Sequence, residues 1–218
     1  MWYVVLVMLV MTAKAAAAQS GNPPSTVRSG SRPILSLAEE LALARSAAPS
    51  SISAGSRVMV LTDSGYSVGE AGTSSMTCVV NRSWRHSIEP HCYDSEGAKT
   101  VMLIELRRNY LRHLGKTEAE ITTDIGAGLL TGKYKLPTRP ALSYMMSSQQ
   151  VLYGDNGKLA GKWRPHLMIY YPHLTNEALG FRERPEMSVG MVVGSGESQS
   201  SLMIIMSTFA DTGVARSP

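Results

Sequence analysis

The sequence has little cysteine, little phenylalanine, few charged residues and no long hydrophobic run. Of its 218 residues, two are cysteine, two are phenylalanine and 17% are charged. Lys and Arg exceed Asp and Glu by four and are scattered, so the charge pattern gives no support to nucleic-acid binding. With 44% hydrophobic residues, the composition excludes a wholly disordered chain, and the low charge excludes a coiled coil.

The longest apolar run lies near the N terminus and is too short to span a membrane. Residues 2–11 are all apolar, and as a helix they would extend about 15 Å against the roughly 30 Å of a bilayer core. The small residues Ala16-Ala17-Ala18 follow before Gln19, as at a signal-peptide cleavage site. We therefore predict a signal peptide over residues 1–18, a secreted or periplasmic location, and no stable membrane span after cleavage. One feature is atypical of a signal peptide, since no Lys or Arg precedes the run. An uncleaved anchor is the alternative.

The next segment has linker composition, and the rest predicts one domain. Residues 19–35 are mostly Ser, Gly, Pro and Arg, so we expect a disordered linker. Residues 36–218 predict a single α+β domain: a mainly antiparallel sheet with an N-terminal helix and a helical hairpin packed on it. Strand-like patterns occur at 57–62, 66–70, 75–81, 142–146, 150–153, 165–171, 188–193 and 202–207.

Capping signals mark the predicted helices. Ser36 followed by Glu39 is a capping box that begins the first helix, and Thr117 followed by Glu120 begins another. Gly115 stands where the preceding helix needs a left-handed residue to end.

The first three strands have links too short for a parallel crossover, so we expect them to form an antiparallel meander. The uniformly apolar segment 202–206 predicts a central strand that is buried on both faces.

The two cysteines predict a disulfide. An even cysteine count in an exported chain favours pairing, and Cys78 and Cys92 close a loop of about 15 residues, which contributes roughly 3 kcal/mol in the chain-entropy model. The bond would tie the third strand to the segment that follows it.

A nucleophilic cysteine is the alternative. Cys78 followed far downstream by His166 gives the residue order of papain-like and NlpC/P60-type hydrolases. Residues 165–170 also resemble the strand that carries the histidine in those enzymes. Those enzymes begin a helix at the cysteine, where the helix dipole lowers the thiol pKa, whereas the β-branched residues around Cys78 are typical of a strand. Cys78 and His166 are the candidate catalytic residues of this hydrolase in the cell envelope, and whether the protein is an enzyme stays open.

A metal site has weaker support. His86, His91, Cys92 and Asp94 crowd into nine residues, but no pair has zinc-finger spacing and a disulfide would remove the cysteine. His86, His91 and Asp94 are therefore weak candidates, and we predict no metal and no cofactor. Asn81 begins an N-glycosylation sequon, which has a meaning only in a eukaryotic source.

Several short motifs in a fixed order carry a resemblance. They are Gly72-Thr73, Thr77-Cys78, Cys92-Tyr93-Asp94, Pro165-His166-Leu167-Met168 and Leu202-Met203-Ile204-Ile205. Together they resemble a group of uncharacterised exported bacterial proteins with Gly-Thr-Asn-Gly…Cys, Cys-x-Asp and Pro-His-x-Met segments, over roughly residues 37–207. Here Ser74-Ser75 replace the Asn-Gly.

The resemblance implies export and a single domain, and it carries no catalytic residues over. The leading prediction is an exported domain stapled by its disulfide, with a binding or envelope-associated role and an unknown partner.

Overall fold

The computed structural model describes residues 35–82, 87–153, 159–181 and 190–211. The predicted signal peptide, the linker up to residue 34, residues 188 and 189 of one predicted strand, and His86 lie outside these ranges. The helices are α1 (Leu37–Arg45), α2 (Ser50–Ser53), α3 (Ser95–Lys99), α4 (Val101–His113) and α5 (Glu118–Leu130). The strands are β1 (Arg57–Thr62), β2 (Gly65–Glu70), β3 (Thr77–Asn81), β4 (Glu89–Tyr93), β5 (Ala141–Met145), β6 (Leu152–Tyr153), β7 (Leu159–Gly161), β8 (His166–Tyr170), β9 (Gly190–Val193) and β10 (Ser201–Ile205).

The predicted α+β class is confirmed. Eight strands form one sheet in the order β2-β1-β3-β4-β5-β8-β10-β9, and every neighbouring pair is antiparallel except β1 and β3. Strands β6 and β7 form a separate two-stranded ribbon.

The predicted antiparallel meander is wrong at its third strand. Strand β2 turns outward to the edge, so β3 returns on the other side of β1 and runs parallel to it. The connection crosses the start of β1 at Gly72, where a Cβ atom would lie 2.1 Å from the backbone nitrogen of Arg57. A hairpin arm thus replaces the helix that usually links parallel strands, and only glycine allows the two backbones to approach so closely.

Helices pack on both faces of the sheet, which we call the α1 face and the α4 face. On the α1 face, Ala44 and Leu43 pack over Val58, Cys78 and Cys92. On the α4 face, side chains that alternate with these pack under helix α4, with Met102 and Leu106 over Val79 and Tyr93. Strands β3 and β4 are buried at every residue, so the centre of the domain lies there.

The helix signals are confirmed. Both predicted capping boxes form, Ser36 with Glu39 before α1 and Thr117 with Glu120 before α5. Gly115 follows α4 with a φ of 75°. The helical hairpin packs only partly as predicted, because α4 contacts the sheet whereas α5 packs on α4.

The apolar segment 202–206 is not the central strand. Strand β10 lies second from the edge, between β8 and the edge strand β9. Its side chains alternate between buried Met203 and the half-buried Leu202 and Ile204. The lack of alternation in the sequence reflects an apolar face of β10 that the described helices leave partly open. On that face, α1 packs on the half of the sheet that contains β1, β2, β3 and β4.

A buried ion pair joins α1 to the end of β3. Arg82 donates both to Glu40 at 2.8 Å and to the carbonyl oxygen of Val80 at 2.8 Å. It also donates to the hydroxyl of Tyr66 at 3.2 Å. Because Glu40 and Arg82 are both buried, each charge depends on the other for its stability there.

The predicted disulfide is confirmed. Cys78 and Cys92 face each other directly across β3 and β4 and are bonded, and both are fully buried beneath α1. The bond therefore fixes the register of the two central strands.

We predict that removing this bond destabilises the protein by about 3 kcal/mol, because it closes a loop of about 15 residues in the unfolded chain. The variant is Cys78→Ala with Cys92→Ala, and the measurement is the free energy of unfolding in urea. Thiol titration of the unreduced, denatured wild type should detect neither cysteine.

Reduced wild-type protein is the control, since it keeps both sulfur atoms in the core. It should lose about as much stability as the double variant. Two free thiols in the unreduced, denatured protein would contradict the bond.

Candidate functional site

A cavity of about 290 Å³ opens on the α4 face, beside helix α4. Strand pairing builds its floor. Met145 lies directly across from His166, and the pairing of Cys92 with Tyr144 brings His91 next to Met145 on the other side. Three adjacent strands thus present a histidine, a methionine and a histidine in one row on one face. Met168 and Met203, which pair with each other, form the next row.

His91 lines this cavity and has a buried ring nitrogen that forms no hydrogen bond with the described residues. Its residue is 4% exposed, and its ring stacks on Tyr93 with the centroids 5.2 Å apart. Its Nδ1 atom lies 3.4 Å from the hydroxyl of Ser143. Its Nε2 atom is buried and has no hydrogen-bond partner among the described residues. A buried polar atom without a partner is rare enough in a native protein to require an explanation.

The state of His91 follows from its burial. Removal from water, with a smaller contribution from nearby His166, lowers the pKa of His91 to about 3. The imidazole is therefore neutral at physiological pH, and one of its nitrogens carries a lone pair.

His166 is neutral as well, and its proton can be placed. Burial lowers its pKa below the ordinary value, despite an opposing hydrogen bond with the backbone of Arg164. Nδ1 donates to the carbonyl oxygen of Arg164 at 2.6 Å, so Nδ1 holds the proton and Nε2 carries the lone pair. The indole of Trp163 lies beside the ring, with the centroids 5.5 Å apart.

The charged side chains of the cavity are acidic. Glu89 and Glu105 line it, and no Lys or Arg is among the described residues that do. Burial raises the pKa of Glu105, which Arg108 opposes from 3.7 Å away. The described lining therefore offers carboxylates, imidazole nitrogens and thioethers, but no cationic side chain.

A buried hydrogen-bond network supports the floor. The amide of Asn81 donates to the hydroxyl of Tyr93 at 2.7 Å and accepts from Asn109 at 3.0 Å. The ring of His91 stacks on the ring of Tyr93, which this network holds in place. Asn81 is fully buried, so the sequon that begins there is not available for glycosylation in the folded protein.

The structure does not bring the candidate catalytic pair together. Strand pairing places Cys78 in one row with Leu167 of β8, so their side chains are on the same face of the sheet. His166 precedes Leu167 in β8, and the side chains of Cys78 and His166 therefore point to opposite faces. Cys78 also lies within β3 instead of at a helix start, and its sulfur is bonded to Cys92. A thiol nucleophile is therefore not free in this structure.

The weak metal candidates separate in the same way. Asp94 caps α3 by accepting from the backbone nitrogen of Gly97 at 2.7 Å, His91 lines the cavity, and His86 lies outside the described residues. Within the described part of the chain, no three His, Cys, Asp or Glu side chains gather closely enough to hold a metal ion.

Sequence reasoning missed most of the cavity. From the sequence, Met145, Met146, Met203 and Met206 lie in apolar runs and are interpreted as core filler. Met145 and Met203 do pack as one cluster, together with Met168. The available signal was their alternation with neighbours along each strand, which puts them on one face. Only the strand order β4-β5-β8-β10 shows that this face is also that of His91.

Comparisons with known proteins add no identity. No family model matches the chain, and neither a curated protein nor a solved structure matches it significantly. In the described ranges, no helix has the length and apolar character needed to cross a membrane.

We predict that acid destabilises the protein through His91. Unfolded histidine has a pKa of about 6.5, so below this pH the unfolded chain binds a proton at His91 that the folded protein does not bind. The contribution of this group to stability is complete above about pH 6.5 and is lost as the pH falls towards about 3. At pH 5 the loss is about 2 kcal/mol. Urea unfolding of wild type and His91→Gln at pH 7.5 and pH 5 measures it, and the variant should lose about 2 kcal/mol less.

The groups around His91 set the remaining pH dependence. His166 acts in the same direction, whereas Glu105, whose pKa is raised, acts in the opposite direction. Glu89 also faces the cavity and remains in both proteins. The exposed His173→Asn variant is the control and should keep the full loss. Equal losses in wild type and His91→Gln would refute the role of His91.

Proposed function

We propose that this protein is an exported binding domain that holds a small, positively charged ligand in the cavity on the α4 face. The observation that carries the proposal is the buried Nε2 atom of His91, which lines the cavity and has no partner among the described residues. An unsatisfied buried polar group costs about 1–3 kcal/mol, and a ligand that pairs with it removes that penalty.

The sign of the ligand charge follows from the lining. Glu89 and Glu105 are the charged residues that line the cavity in the described part of the chain, and both are acidic. Trp163 and Tyr170 add aromatic faces, which attract cations. A cation therefore matches the cavity better than an anion of the same shape.

Export is supported by two independent features. The apolar run and the Ala-x-Ala pattern have the form of a signal peptide. The buried disulfide is of a kind that persists in oxidising compartments such as the periplasm. The order of the motifs, which resembles that of a group of exported bacterial proteins, points the same way, and an envelope-associated role is consistent with all three.

A binding role fits the structure better than the hydrolase alternative. The hydrolase needs a free Cys78 thiol near His166, but the sulfur is bonded and the two side chains lie on opposite faces. The binding role needs only the cavity.

We predict that benzylamine binds in the cavity more tightly than phenol, and phenol more tightly than benzoate, because these probes differ mainly in charge. Chemical shift changes in ¹⁵N–¹H correlation spectra should map to β4, β5 and β8. Val193→Trp should abolish them, because Val193 lines the cavity and is 40% exposed, so that a larger side chain can block the opening.

Val68→Trp is the matched control. Val68 is also an exposed valine on an edge strand, but it lies at the opposite end of the sheet, away from the cavity. It should leave benzylamine binding unchanged. Shifts that survive Val193→Trp, or a preference for benzoate, would refute the proposed function.

We predict that expression of the full chain in a bacterial host yields exported protein whose N terminus is Gln19. Mass spectrometry of the periplasmic fraction measures it. Ala18→Asp should prevent cleavage, because signal peptidase requires a small residue there. A chain that stays in the cytoplasm with its N terminus intact would count against export.

A further inference from the structure

We infer that the ligand of this cavity is a soft monovalent metal ion of the Cu(I) class, held by imidazole nitrogen and thioether sulfur. The inference rests on the proposed function and narrows its positively charged ligand to one chemical class. Its basis is the juxtaposition of two histidines and three methionines on one sheet face.

The donors converge through strand pairing. Met145 lies between His91 and His166 in one row across β4, β5 and β8. Met168 and Met203 lie directly across from each other in the next row and pack with Met145. All five side chains line the same cavity.

The histidines have lone pairs to donate. The hydrogen bond from His166 Nδ1 to the carbonyl oxygen of Arg164 leaves Nε2 as the donor atom, which is the usual arrangement of a metal-binding histidine held by an outer partner. His91 Nε2 is buried in the cavity wall without a partner among the described residues. The hydroxyl of Ser143 meets its other nitrogen and can fix the tautomer in which Nε2 is free to bind.

The donor set selects the metal. Thioether sulfur is a soft ligand that favours Cu(I), whereas Ca²⁺ and Mg²⁺ require several oxygen ligands. Zn²⁺ sites use Cys, His, Asp and Glu, and the described residues hold no cluster of three of these. A metal ion in this cavity therefore depends on methionine, and that dependence is specific for a soft ion.

Trp163 supplies a further contact suited to a cation. Its indole lies beside His166 and lines the cavity. An aromatic face attracts a positive ion, most strongly where water is excluded.

The experiment titrates the purified, chelator-treated protein with Ag⁺, which has the same soft character as Cu(I) and is not oxidised in air. Isothermal titration calorimetry measures the stoichiometry and affinity. Anaerobic competition with the chromophoric chelator bicinchoninate then measures Cu(I). We expect one ion per chain, with the affinity reduced by about tenfold or more in Met145→Leu and in Met168→Leu. Leucine keeps the volume and apolar character of methionine, so both variants should fold.

Met102→Leu is the matched control. Met102 is a buried methionine under α4 that packs with Val79 and Tyr93, and it does not line this cavity. It should bind Ag⁺ and Cu(I) as the wild type does. X-ray absorption at the copper edge of the Cu(I) protein should show both sulfur and nitrogen neighbours.

The failures are distinguishable. If Met145→Leu and Met168→Leu bind Ag⁺ as the wild type does, or if Zn²⁺ binds more tightly than Cu(I), the soft-metal inference is overturned. Benzylamine binding that Val193→Trp abolishes would still uphold the proposed function. If Val193→Trp changes neither benzylamine nor Ag⁺ binding, both fall.

Discussion

The burial of β3 and β4 on both faces is the constraint on which the rest of the structure depends. Every residue of these two strands is buried, although they carry Asn81, Glu89 and His91. Alternation along the strands sends Cys78 and Cys92 under α1 and these polar residues under α4. Because buried polar groups require partners, the α4 face must supply a polar interior. The α1 face, apart from the Glu40–Arg82 pair at the end of β3, is closed with leucine, alanine, valine and a disulfide.

Asn81 and His91 differ in how far their polar atoms are hydrogen-bonded, and this difference points to the proposed site at His91. Asn81 is held by Tyr93 and Asn109, which rigidifies the centre of the sheet. His91 forms a hydrogen bond with the described residues only at Nδ1, and it lies next to a cavity with acidic and soft donor groups. A histidine in such a position costs stability, most of all in acid, and the ligand that we propose accounts for it better than packing does.

Local signals in the sequence predicted local structure well. The capping boxes at Ser36 and Thr117, the helix end at Gly115 and the pairing of the cysteines all depend on residues close in the chain or on the redox compartment. The strand order could not be predicted, because it depends on contacts such as the backbone crossing at Gly72. The cavity was missed for the same reason: its methionines come from strands that are neighbours in space but not in sequence.

The disulfide and the cavity lie on opposite faces, yet the bond serves the site. In a sheet, a slip of one residue between paired strands moves every side chain of one strand to the other face. A slip between β3 and β4 would carry His91 from the α4 face to the α1 face, away from Met145 and His166. Because Cys78 and Cys92 are directly paired, their bond forbids that slip. The sulfur pair thus supports the proposed site through geometry, by holding the histidine where its Nε2 atom, unpaired among the described residues, faces the cavity. This needs no chemistry at the sulfur.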